Sequence, residues 1–499
     1  MSAIEINHLT FAYEGSYHNI FEDLTLNLDT AWRLGLIGPN GRGKTTLLRL
    51  LSGEEDGGKA LRVPVRCRYF PFPVREPERM TLDILCEAAP RAEEWELLRE
   101  TGRLGLDAEL LYRPFSTLSG GERTRALLAA LFLEEGVYPL IDEPTNHLDE
   151  AGRVQVAQYL KRQKGFLLVS HDRAFLDGCV DHVLALEKQG ARIIAGDYST
   201  WKREWEAANA REGQRKEQLK REVSKLKAAA RRTADWSDKV ERSKTGGEVN
   251  AAVKDRGHIG HMAAKMAKRS KALQNRREKA VEEKEGLLQN LEEDQPLKLR
   301  PLTFQGTRLL TLKGVSPVYD GRAVCPPLDL TLVPGERVAL TGPNGCGKSS
   351  ILKLLAGEAG AFSGEKMAFA GELSVPARLK VSWVPQDASF LRGSLEEALE
   401  GWDVDPSLCL AILRKLGFER QQFEKDLSQL SAGQQKKVLL AKSLCEEAHL
   451  YLWDEPLNYV DLWSRRRLEE VLLEYRPTLV FVEHDRMFRE KIATRTVEL

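Results

Sequence analysis

The sequence predicts an α/β protein made of two tandem copies of one domain, joined by a long antiparallel α-helical hairpin. Four short motifs occur twice in the same order, at offsets of 304, 312, 312 and 313 residues. In each copy they alternate with apolar strand-like runs and helix-like runs. The predicted boundaries are residues 1–200 for the first domain, 201–304 for the linker and 305–499 for the second domain.

The charge distribution singles out the linker. The 499 residues carry 74 basic and 74 acidic side chains, so the net charge is zero. Residues 201–290 nevertheless hold 24 basic and 14 acidic side chains, which leaves 50 basic and 60 acidic elsewhere. A basic segment in a neutral protein favours a polyanionic partner at that segment.

Cysteine usage and hydropathy indicate a cytoplasmic protein. The seven cysteines are scattered and form no C-x-x-C pair, so neither a disulfide framework nor a zinc site is expected. The start MSAIEINHLTF lacks the pattern of a signal peptide, and no run of eighteen apolar residues occurs. No stable membrane partner is expected.

Each copy follows the same order of elements. It opens with alternating segments, AIEINHLTFAY and RLLTLKGVSPVY, that predict an antiparallel β layer. An apolar strand, WRLGLIG or RVALTG, then leads into a glycine-rich loop and a helix. The later runs VYPLID, FLLVSHD, HLYLWDE and TLVFVEH predict buried parallel strands.

The glycine-rich loops match G-x-x-x-x-G-K-[ST] at residues 38–45 and 342–349. Backbone N–H groups of such a loop surround phosphate oxygens, the lysine reaches the β- and γ-phosphates, and the hydroxyl binds Mg²⁺. The predicted ATP-binding residues are therefore Gly38, Asn40, Gly41, Gly43, Lys44, Thr45 and Thr46 in the first copy, and Gly342, Asn344, Gly345, Gly347, Lys348, Ser349 and Ser350 in the second.

Two apolar strands end in Asp-Glu. Asp142 and Asp454 are expected to hold Mg²⁺ together with Thr45 and Ser349, and Glu143 and Glu455 are expected to activate the attacking water. A carboxylate at a strand end can also simply cap a loop, but the nearby glycine loop favours the catalytic interpretation.

With LSGGE and LSAGQ, each 23 residues before its aspartate, the motif set resembles the ABC ATPases. The resemblance implies that the signature loop of one copy covers the ATP bound by the other, within a monomer. It assigns ATP contacts to Ser119, Gly120 and Gly121 and to Ser431, Ala432 and Gly433. It also implies γ-phosphate contact by His171 and His484, adenine stacking by Tyr13 and Tyr319, and Mg²⁺ and water sensing by Gln386.

Two positions depart from that pattern. Phe72 stands in FPFP where the second copy has Gln386 in VPQD, and a phenyl ring cannot bind Mg²⁺ or water. His147 in NHLD corresponds to Tyr459 in NYVD. Unequal hydrolysis at the two sites is therefore expected.

The linker pattern predicts two antiparallel helices with a turn at residues 245–261. Basic side chains there suit an RNA backbone, although a solvated spacer is the alternative. The expected RNA contacts are Lys244, Lys254, Arg256, His258, Lys265, Lys268 and Arg269, with Trp236 as a further stacking candidate.

Two ATPase copies joined by such a linker resemble the ABC-F family, and WSDKVERSK, RGHIGHMAAKMAKRSK and DEPLNYVD resemble its antibiotic-resistance group for lincosamides, streptogramin A and pleuromutilins. The resemblance implies binding to the large subunit of bacterial ribosomes and to peptidyl-site tRNA, entry at the tRNA exit site, drug displacement by the linker tip, and release on ATP hydrolysis. P-loop to signature intervals of 75 and 83 residues leave no room for an inserted arm.

Other functions remain open from the sequence. A housekeeping ABC-F factor that relieves stalled ribosomes without drug would share every motif. The ATPase subunit of a membrane transporter is a second alternative, and a DNA-repair or chromosome-organising ATPase is a weaker third, because the linker is short for a long coiled-coil arm.

Overall fold

The computed structural model describes residues 3–13, 19–146, 148–187, 190–245, 297–319, 321–343, 345–358, 360, 367–376, 378–402, 404–418, 422–458 and 460–499. At residues 212, 216, 219, 220 and 226–245 the description covers the backbone alone. Contacts divide the chain into one unit of Met1–Trp201 with Pro296–Leu499 and a second unit of Lys202–Gln295. The first unit holds both motif-bearing copies, which are termed the first half and the second half below.

The first half contains two sheets. A three-stranded antiparallel sheet has the order β2-β1-β4, and a six-stranded sheet has the order β5-β6-β7-β3-β8-β9, parallel except for the β8–β9 pair. The strands are β1 (Ala3–Phe11), β2 (Phe21–Asp29), β3 (Arg33–Ile37), β4 (Leu61–Arg62), β5 (Arg66–Phe70), β6 (Val137–Asp142), β7 (Phe166–Val169), β8 (His182–Glu187) and β9 (Gly190–Ala195).

Helices cover the six-stranded sheet and add a helical insertion after β5. They are α1 (Lys44–Ser52), α2 (Thr81–Ala88), α3 (Glu94–Arg103), α4 (Ala108–Leu111), α5 (Gly120–Leu133), α6 (Glu150–Lys161) and α7 (Arg173–Cys179). The central strands β3 and β7 are almost wholly apolar and buried, as strands covered on both faces must be. Leu26 of β2, Leu34 of β3 and Leu47 of α1 share one core between the two sheets.

The second half repeats this architecture. Its parallel sheet has the order β16-β18-β19-β14-β20, and its antiparallel layer has the order β12-β11-β13 with β15 also on β11. The strands are β10 (Arg300–Pro301), β11 (Leu310–Tyr319), β12 (Arg322–Ala323), β13 (Leu328–Leu332), β14 (Arg337–Thr341), β15 (Phe369–Ser374), β16 (Val381–Val384), β17 (Glu447–Ala448), β18 (Leu450–Asp454), β19 (Leu479–Val482) and β20 (Arg495–Glu498).

The linker helix and the helices of the second half complete the described elements. They are α8 (Tyr198–Thr245), α9 (Lys348–Glu358), α10 (Leu395–Gly401), α11 (Pro406–Lys415), α12 (Ala432–Cys445), α13 (Leu462–Tyr475) and α14 (Arg486–Ile492). Leu297 and Leu299 already pack in the core of the second half, so this fold includes residues ahead of 305.

The predicted α/β fold is confirmed in both halves. The runs expected to be buried parallel strands form β6, β7, β18 and β19, and the antiparallel layers form where the alternating segments begin each copy. The first predicted linker helix is α8, whose 48 residues span about 72 Å at 1.5 Å per residue. The predicted turn at 245–261 and the return helix lie outside the described residues, apart from Thr245 at the end of α8.

The sheet register explains why distant motifs meet. In the first half β3, β6 and β7 run parallel, with Leu36 and Asp142 both paired to Val169. In the second half β14, β18 and β19 repeat this, with Leu340 and Asp454 both paired to Val482. The residues that follow these strands therefore lie together at one edge of each sheet, the usual place for a ligand site in α/β folds.

Candidate functional site

The glycine-rich loops close around their own lysines. In the first half Lys44 Nζ donates to the carbonyl oxygens of Gly38 at 2.7 Å and Pro39 at 3.2 Å. In the second half Lys348 Nζ donates to those of Gly342 at 2.9 Å and Pro343 at 2.7 Å. Each lysine begins the helix that follows the loop, so its ammonium and the helix N-terminus make one positively charged pocket.

Glycine is required at the position before each lysine. Gly43 has φ of 81° and Gly347 has φ of 98°, in the left-handed region. A Cβ on Gly43 would lie 2.5 Å from Ile20 Cγ2, and one on Gly347 would lie 3.0 Å from Cys325 Cβ. Substitution here would therefore disturb the loop that is expected to hold phosphate.

In the first half, Asp142 joins the P-loop helix to a tyrosine. Its Oδ2 accepts hydrogen bonds from Thr45 Oγ1 at 3.0 Å and from the Tyr69 hydroxyl at 2.9 Å. The Thr45 contact brings together the two residues predicted to hold Mg²⁺. Tyr69, on β5, was not predicted, and its signal is weak because tyrosine is common in strands.

In the second half, the corresponding carboxylate is buried without such partners. Asp454 is fully buried, and neither carboxylate oxygen has a hydrogen-bond partner among the described residues. Burial raises the pKa of Asp454 to about 6, although Ser349 and the charge of Lys436 act in the opposite direction. A buried carboxylate without donors, beside a hydroxyl and a phosphate-binding loop, fits a site completed by Mg²⁺.

The glutamates that follow share an unusual backbone conformation. Glu143 has φ of 49° and Glu455 has φ of 46°. Their N–H groups donate to the carbonyl oxygens of Val169 and Val482, both at 2.9 Å, which fixes each turn against the neighbouring strand. A non-glycine residue at positive φ costs free energy and is concentrated at functional sites. That both halves hold it at the same position supports a role for the two side chains.

Each glutamate lies against the predicted histidine. His171 Nε2 is 3.4 Å from Glu143 Oε1, and His484 Nε2 is 3.4 Å from Glu455 Oε1. Burial and the charge of Lys44 hold the pKa of His171 well below its usual range, so this ring is neutral. The structure therefore brings the two predicted catalytic groups of each half into contact.

Electrostatics separate the two glutamates. Burial and the neighbouring Asp142 raise the pKa of Glu143 well above its usual range. Burial also disfavours ionisation of Glu455, but His484, Gln386 and the charge of Lys436 lower its pKa to about 2. These effects favour the ionised form of Glu455 and disfavour the ionised form of Glu143.

The residues at the glutamine position explain part of this difference. Gln386 follows β16 and acts on Glu455 through its side-chain amide. Phe72 instead packs against Phe70, with ring centroids 6.2 Å apart, and receives the Arg68 guanidinium 4.1 Å from its ring centroid. Phe72 therefore makes apolar and cation–π contacts where the second half provides a polar amide.

The signature residues form helix N-caps. Ser119 Oγ accepts a hydrogen bond from the Glu122 N–H, and Glu122 Oε2 accepts one from the Ser119 N–H, which is a capping box at the start of α5. Ser431 and Gln434 form the same box at the start of α12. The motif's final Glu or Gln thus has a structural reason, and Gly120, Gly121, Ala432 and Gly433 form the first turns of these helices.

Each P-loop faces the other half. The charges of Asp461 and Lys437 act on Lys44 and on His171, and Arg465 acts on Glu143. At the second P-loop there is a cavity of about 690 Å³. It is lined by Asp149, Glu150 and Ala151 of the first half and by Gly342, Lys348 and His484 of the second. Within the described residues, no hydrogen bond joins Ser119 or Ser431 to the opposite P-loop.

The predicted adenine-stacking tyrosines differ in their surroundings. The Tyr13 hydroxyl is 3.2 Å from Thr46 Oγ1, beside the first P-loop helix. Tyr319 ends β11 with 45 % of its surface exposed. Ser350 lies in the first turn of α9.

Several predicted residues cannot be placed. The side chains of Trp236 and Lys244 are not described, and the other residues concerned lie outside the described part of the chain: Asn344, Lys254, Arg256, His258, Lys265, Lys268, Arg269, and the differing pair His147 and Tyr459.

Comparison with known proteins agrees with this site. The profile of the ABC transporter family matches residues 21–146 and 325–458, which is more than half of the chain and includes both P-loops. The chain belongs to the ABC transporter family. It is accordingly an ATPase, with one ATP-binding domain in each half. Among the described residues, no helix is both long enough and apolar enough to cross a bilayer.

Relatives of this ABC protein match it over nearly its whole length. The ribosome protection protein VmlR of Bacillus subtilis is 29 % identical over 490 residues, covering 96 % of this chain and 84 % of the relative. The ATP-binding protein Uup of Caulobacter vibrioides is 29 % identical, covering 96 % and 74 %. ABC transporter F family member 2 of Arabidopsis thaliana is 25 % identical, covering 100 % and 76 %. These matches support membership of the ABC-F group.

A solved structure confirms the tandem fold. The ABC protein resembles the archaeal ribosome recycling factor aABCE1, crystallised with the ribosomal stalk protein aP1, with a TM-score of 0.60 and 19 % identity. The match covers 98 % of this chain and 87 % of that one. At this identity the likeness establishes the fold of two ATP-binding domains.

Three buried polar residues of the second half escaped the sequence analysis. Lys436 and Lys437 on α12 are each 2 % exposed, and Glu483 is 3 % exposed. Glu483 accepts hydrogen bonds from the backbone N–H groups of Leu457 and His484. A comparison of the two copies could have found these residues, because LSAGQQKK in the second copy aligns with LSGGERTR in the first, and VEHDR aligns with VSHDR.

Proposed function

We propose that this ABC-F protein is an ATP-dependent ribosome-binding factor that enters the tRNA exit site of bacterial ribosomes in the cytoplasm. Its linker tip would reach toward the peptidyl-transferase region, contact rRNA of the large subunit and peptidyl-site tRNA, and dislodge bound antibiotics. ATP hydrolysis would then release it. The observation that carries the proposal is the basic insert between two complete ATPase halves, in a chain that matches a ribosome protection protein over 96 % of its length.

The charge of the linker supports a nucleic-acid partner. Its excess of ten basic side chains over residues 201–290 stands against a deficit of ten elsewhere. Lysine and arginine on a helix bind phosphate backbones by charge, and such binding weakens as salt concentration rises. Helix α8 alone is about 72 Å long at 1.5 Å per residue, so the linker has the length to project well beyond an ATPase domain.

The ATP chemistry follows from the residues at each sheet edge. The P-loop amides with Lys44 and Lys348 would bind the phosphates, and Thr45 with Asp142 and Ser349 with Asp454 would hold Mg²⁺. Mg²⁺ would neutralise charge on the phosphate oxygens. Glu143 and Glu455 would orient and deprotonate the attacking water, with His171 and His484 near the γ-phosphate and Gln386 assisting at the second site.

The pairing of the halves supplies the conformational step. We propose that the signature turns at Ser119 and Ser431 close on the ATP held by the opposite half, in a monomer. Two observations support this arrangement: the charge of Asp461 acts on Lys44 of the opposite half, and Asp149 lines the same cavity as Lys348. Residues of one half are thus near the phosphate-binding loop of the other. Closure and reopening of the halves would move the linker.

The first test is co-sedimentation of the Glu143→Gln, Glu455→Gln protein with bacterial ribosomes, with and without ATP. We expect ATP-dependent binding, because this variant binds ATP but cannot hydrolyse it. A protein with Lys44→Ala and Lys348→Ala is the matched control and should not sediment with ribosomes. Absence of binding by the glutamine variant, with ATP shown to be bound, would contradict the proposal.

A second test separates drug displacement from a housekeeping role. Expression of the wild-type chain in a susceptible bacterium should raise the inhibitory concentration of a lincosamide, streptogramin A or pleuromutilin. Replacing Lys265, Lys268 and Arg269 by glutamine should abolish the effect while ATPase activity persists. ATP-dependent ribosome binding without any change in susceptibility would favour the housekeeping factor, which the similarity to Uup and to F family members keeps open.

A further inference from the structure

The signature helix of the second half carries a buried lysine that reaches into the second ATP site. Lys436 lies in α12 and is 2 % exposed. Its Nζ donates to the carbonyl oxygens of Pro385 at 2.7 Å, Gln386 at 3.3 Å and Asp454 at 2.8 Å. One side chain therefore joins three elements: the signature helix, the glutamine segment after β16 and the end of strand β18.

Such a side chain is costly to bury, so its contacts need a reason. An ammonium has three donors and no acceptor, and here three backbone oxygens accept from it. Removal from water disfavours its charge and lowers the pKa of Lys436 to about 8, while Asp454, Glu455 and Glu483 act in the opposite direction. A lysine is rarely buried unless it is paired, and each carboxylate near this one lies in or next to the second ATP site.

Among the described residues, the first half shows no equivalent connection. Thr124 occupies the corresponding position in α5, and its Oγ1 donates to the carbonyl oxygen of Gly120 on the same helix. The first half also lacks the glutamine, since Phe72 stands at that position. The lysine and the glutamine that it contacts thus occur together in one half and are both absent from the other, as expected if they act together.

We propose that Lys436 is a positioning residue of the second ATP site, which fixes the backbone of Gln386 against that of Asp454 so that the Gln386 side chain meets Glu455. In the described structure the hydrogen bonds of Lys436 Nζ go to backbone oxygens and not to the side chains of Gln386 or Glu455. The three carbonyl contacts set the separation of the two segments, and Glu455 is the residue after Asp454. This proposal relies on the roles proposed above for Gln386 and Glu455.

The proposal predicts a specific kinetic defect. ATP binding depends on the P-loop at Lys348 and on Tyr319, which Lys436 does not contact in the described structure. Loss of the lysine should therefore lower kcat and leave KM for ATP unchanged. A residue that merely stabilises the fold would not separate these two constants.

The test measures steady-state ATP hydrolysis by the isolated full-length protein carrying Lys436→Met or Lys436→Thr. Threonine is the residue that the first half holds at this position, so the second variant protects against a failure of the methionine variant to fold. Lys442→Met is the matched control, because Lys442 lies on the same helix and pairs with Glu446 at 2.9 Å. We expect kcat to fall at least tenfold with KM within twofold in both Lys436 variants, and no change beyond twofold in the control.

Two single-site backgrounds locate the effect. In a Glu143→Gln protein, where the second site turns over, the Lys436 variants should again lose at least tenfold in kcat. In a Glu455→Gln protein they should leave the remaining turnover within twofold. An unchanged kcat, a parallel change of kcat and KM, or an equal loss in both backgrounds would overturn the proposal. None of these measurements involves ribosomes, so they stand apart from the test of ribosome binding.

Discussion

A buried ion-pair cluster joins the two halves. Arg173 Nη2 of the first half forms an ion pair with Glu469 Oε1 of the second half at 2.6 Å. The same nitrogen donates a hydrogen bond to Asp485 Oδ2 at 3.1 Å. All three side chains are at least nine-tenths buried. Glu469 also pairs with Lys491 at 2.8 Å, and Asp485 with Arg465 at 3.1 Å. We predict that Arg173→Ala destabilises the protein substantially.

The structure sets the size of the effect. Removing one partner of a buried ion pair costs about 3–5 kcal/mol, because an uncompensated charge is left in a region of low dielectric constant. Each carboxylate keeps one cationic partner in this variant, so the loss should lie near the lower limit, about 3 kcal/mol. That corresponds to roughly a 100-fold change in the unfolding equilibrium constant.

Urea unfolding followed by tryptophan fluorescence measures this change in the free energy of unfolding. Trp201 and Trp463 pack with ring centroids 5.6 Å apart, so their emission reports on contact between the end of the first half and the second half. Arg486→Ala is the matched control. Arg486 follows the second histidine as Arg173 follows the first, but it is exposed and pairs with Glu490 on its own helix.

The control residue has no buried partner to leave behind, and the position matching Glu469 is Ala157 in the first half. Arg486→Ala should therefore leave the urea midpoint unchanged. Equal midpoints for Arg173→Ala and Arg486→Ala would refute the reasoning, because they would mean that burial of the cluster contributes nothing. Arg173→Lys should fall between the two, since a single ammonium cannot match the planar fork of a guanidinium.

Three further changes test the unequal sites. In a Glu455→Gln background, Tyr69→Phe should raise the Mg²⁺ concentration for half-maximal hydrolysis about tenfold, since a hydrogen bond to a charged group is worth roughly 1.5–3 kcal/mol. Phe72→Gln should raise kcat in the same background, because it restores an amide at the glutamine position. Asp461→Asn should lower the free energy of unfolding at pH 7. Although burial opposes it, the Lys437 ammonium 2.7 Å away lowers the pKa of Asp461, so this stabilisation is present above the usual carboxyl range of about 4 and shrinks progressively as pH falls below it.

Each of these has a distinct contrary outcome. Tyr138→Phe is the control for Tyr69→Phe, because the Tyr138 hydroxyl is buried on β6 without a partner in the described structure, and its removal should change little. Equal Mg²⁺ responses of the two variants would count against the Tyr69 contact. A Phe72→Gln protein with unchanged kcat would show that the amide is not limiting. A destabilisation by Asp461→Asn that persists undiminished at pH 2 would mean that charge pairing is not its source.

The fold, and the sheet edges at which the two sites lie, could be predicted from the sequence for a physical reason. Parallel strands covered on both faces leave continuous apolar runs, and motif residues follow directly after them, as in VYPLID and LYLWD. Sheet register then brings the ends of such strands together. Both inferences rest on the apolar runs and on the motif residues that follow them, so both could be made from the sequence.

What could not be predicted depends on contacts between distant side chains. The cluster at Arg173 joins positions more than 290 residues apart, and nothing in HDRAF distinguishes an arginine that is buried from one that is exposed. Tyr69 reaches Asp142 across 73 residues. Lys436 stands in the polar motif QQKK, and nothing in that motif indicates that its side chain is buried.

The differences between the halves all favour earlier ATP hydrolysis at the second site. At the second site His484, Gln386 and the charge of Lys436 lower the pKa of Glu455 to about 2, although burial opposes them, so this carboxylate is ionised over a wide pH range. At the first site Asp142 and burial raise the pKa of Glu143, and Phe72 supplies no amide to oppose them. A protonated carboxyl group cannot accept a proton from water. If both sites must hold ATP for the halves to close, the second site should therefore hydrolyse its ATP first and the first site should retain its nucleotide longer. The kcat of the Glu455→Gln protein should then fall further below wild type than the kcat of the Glu143→Gln protein. Single-turnover hydrolysis by the two variants measures this order directly, and a faster Glu455→Gln protein would reverse it.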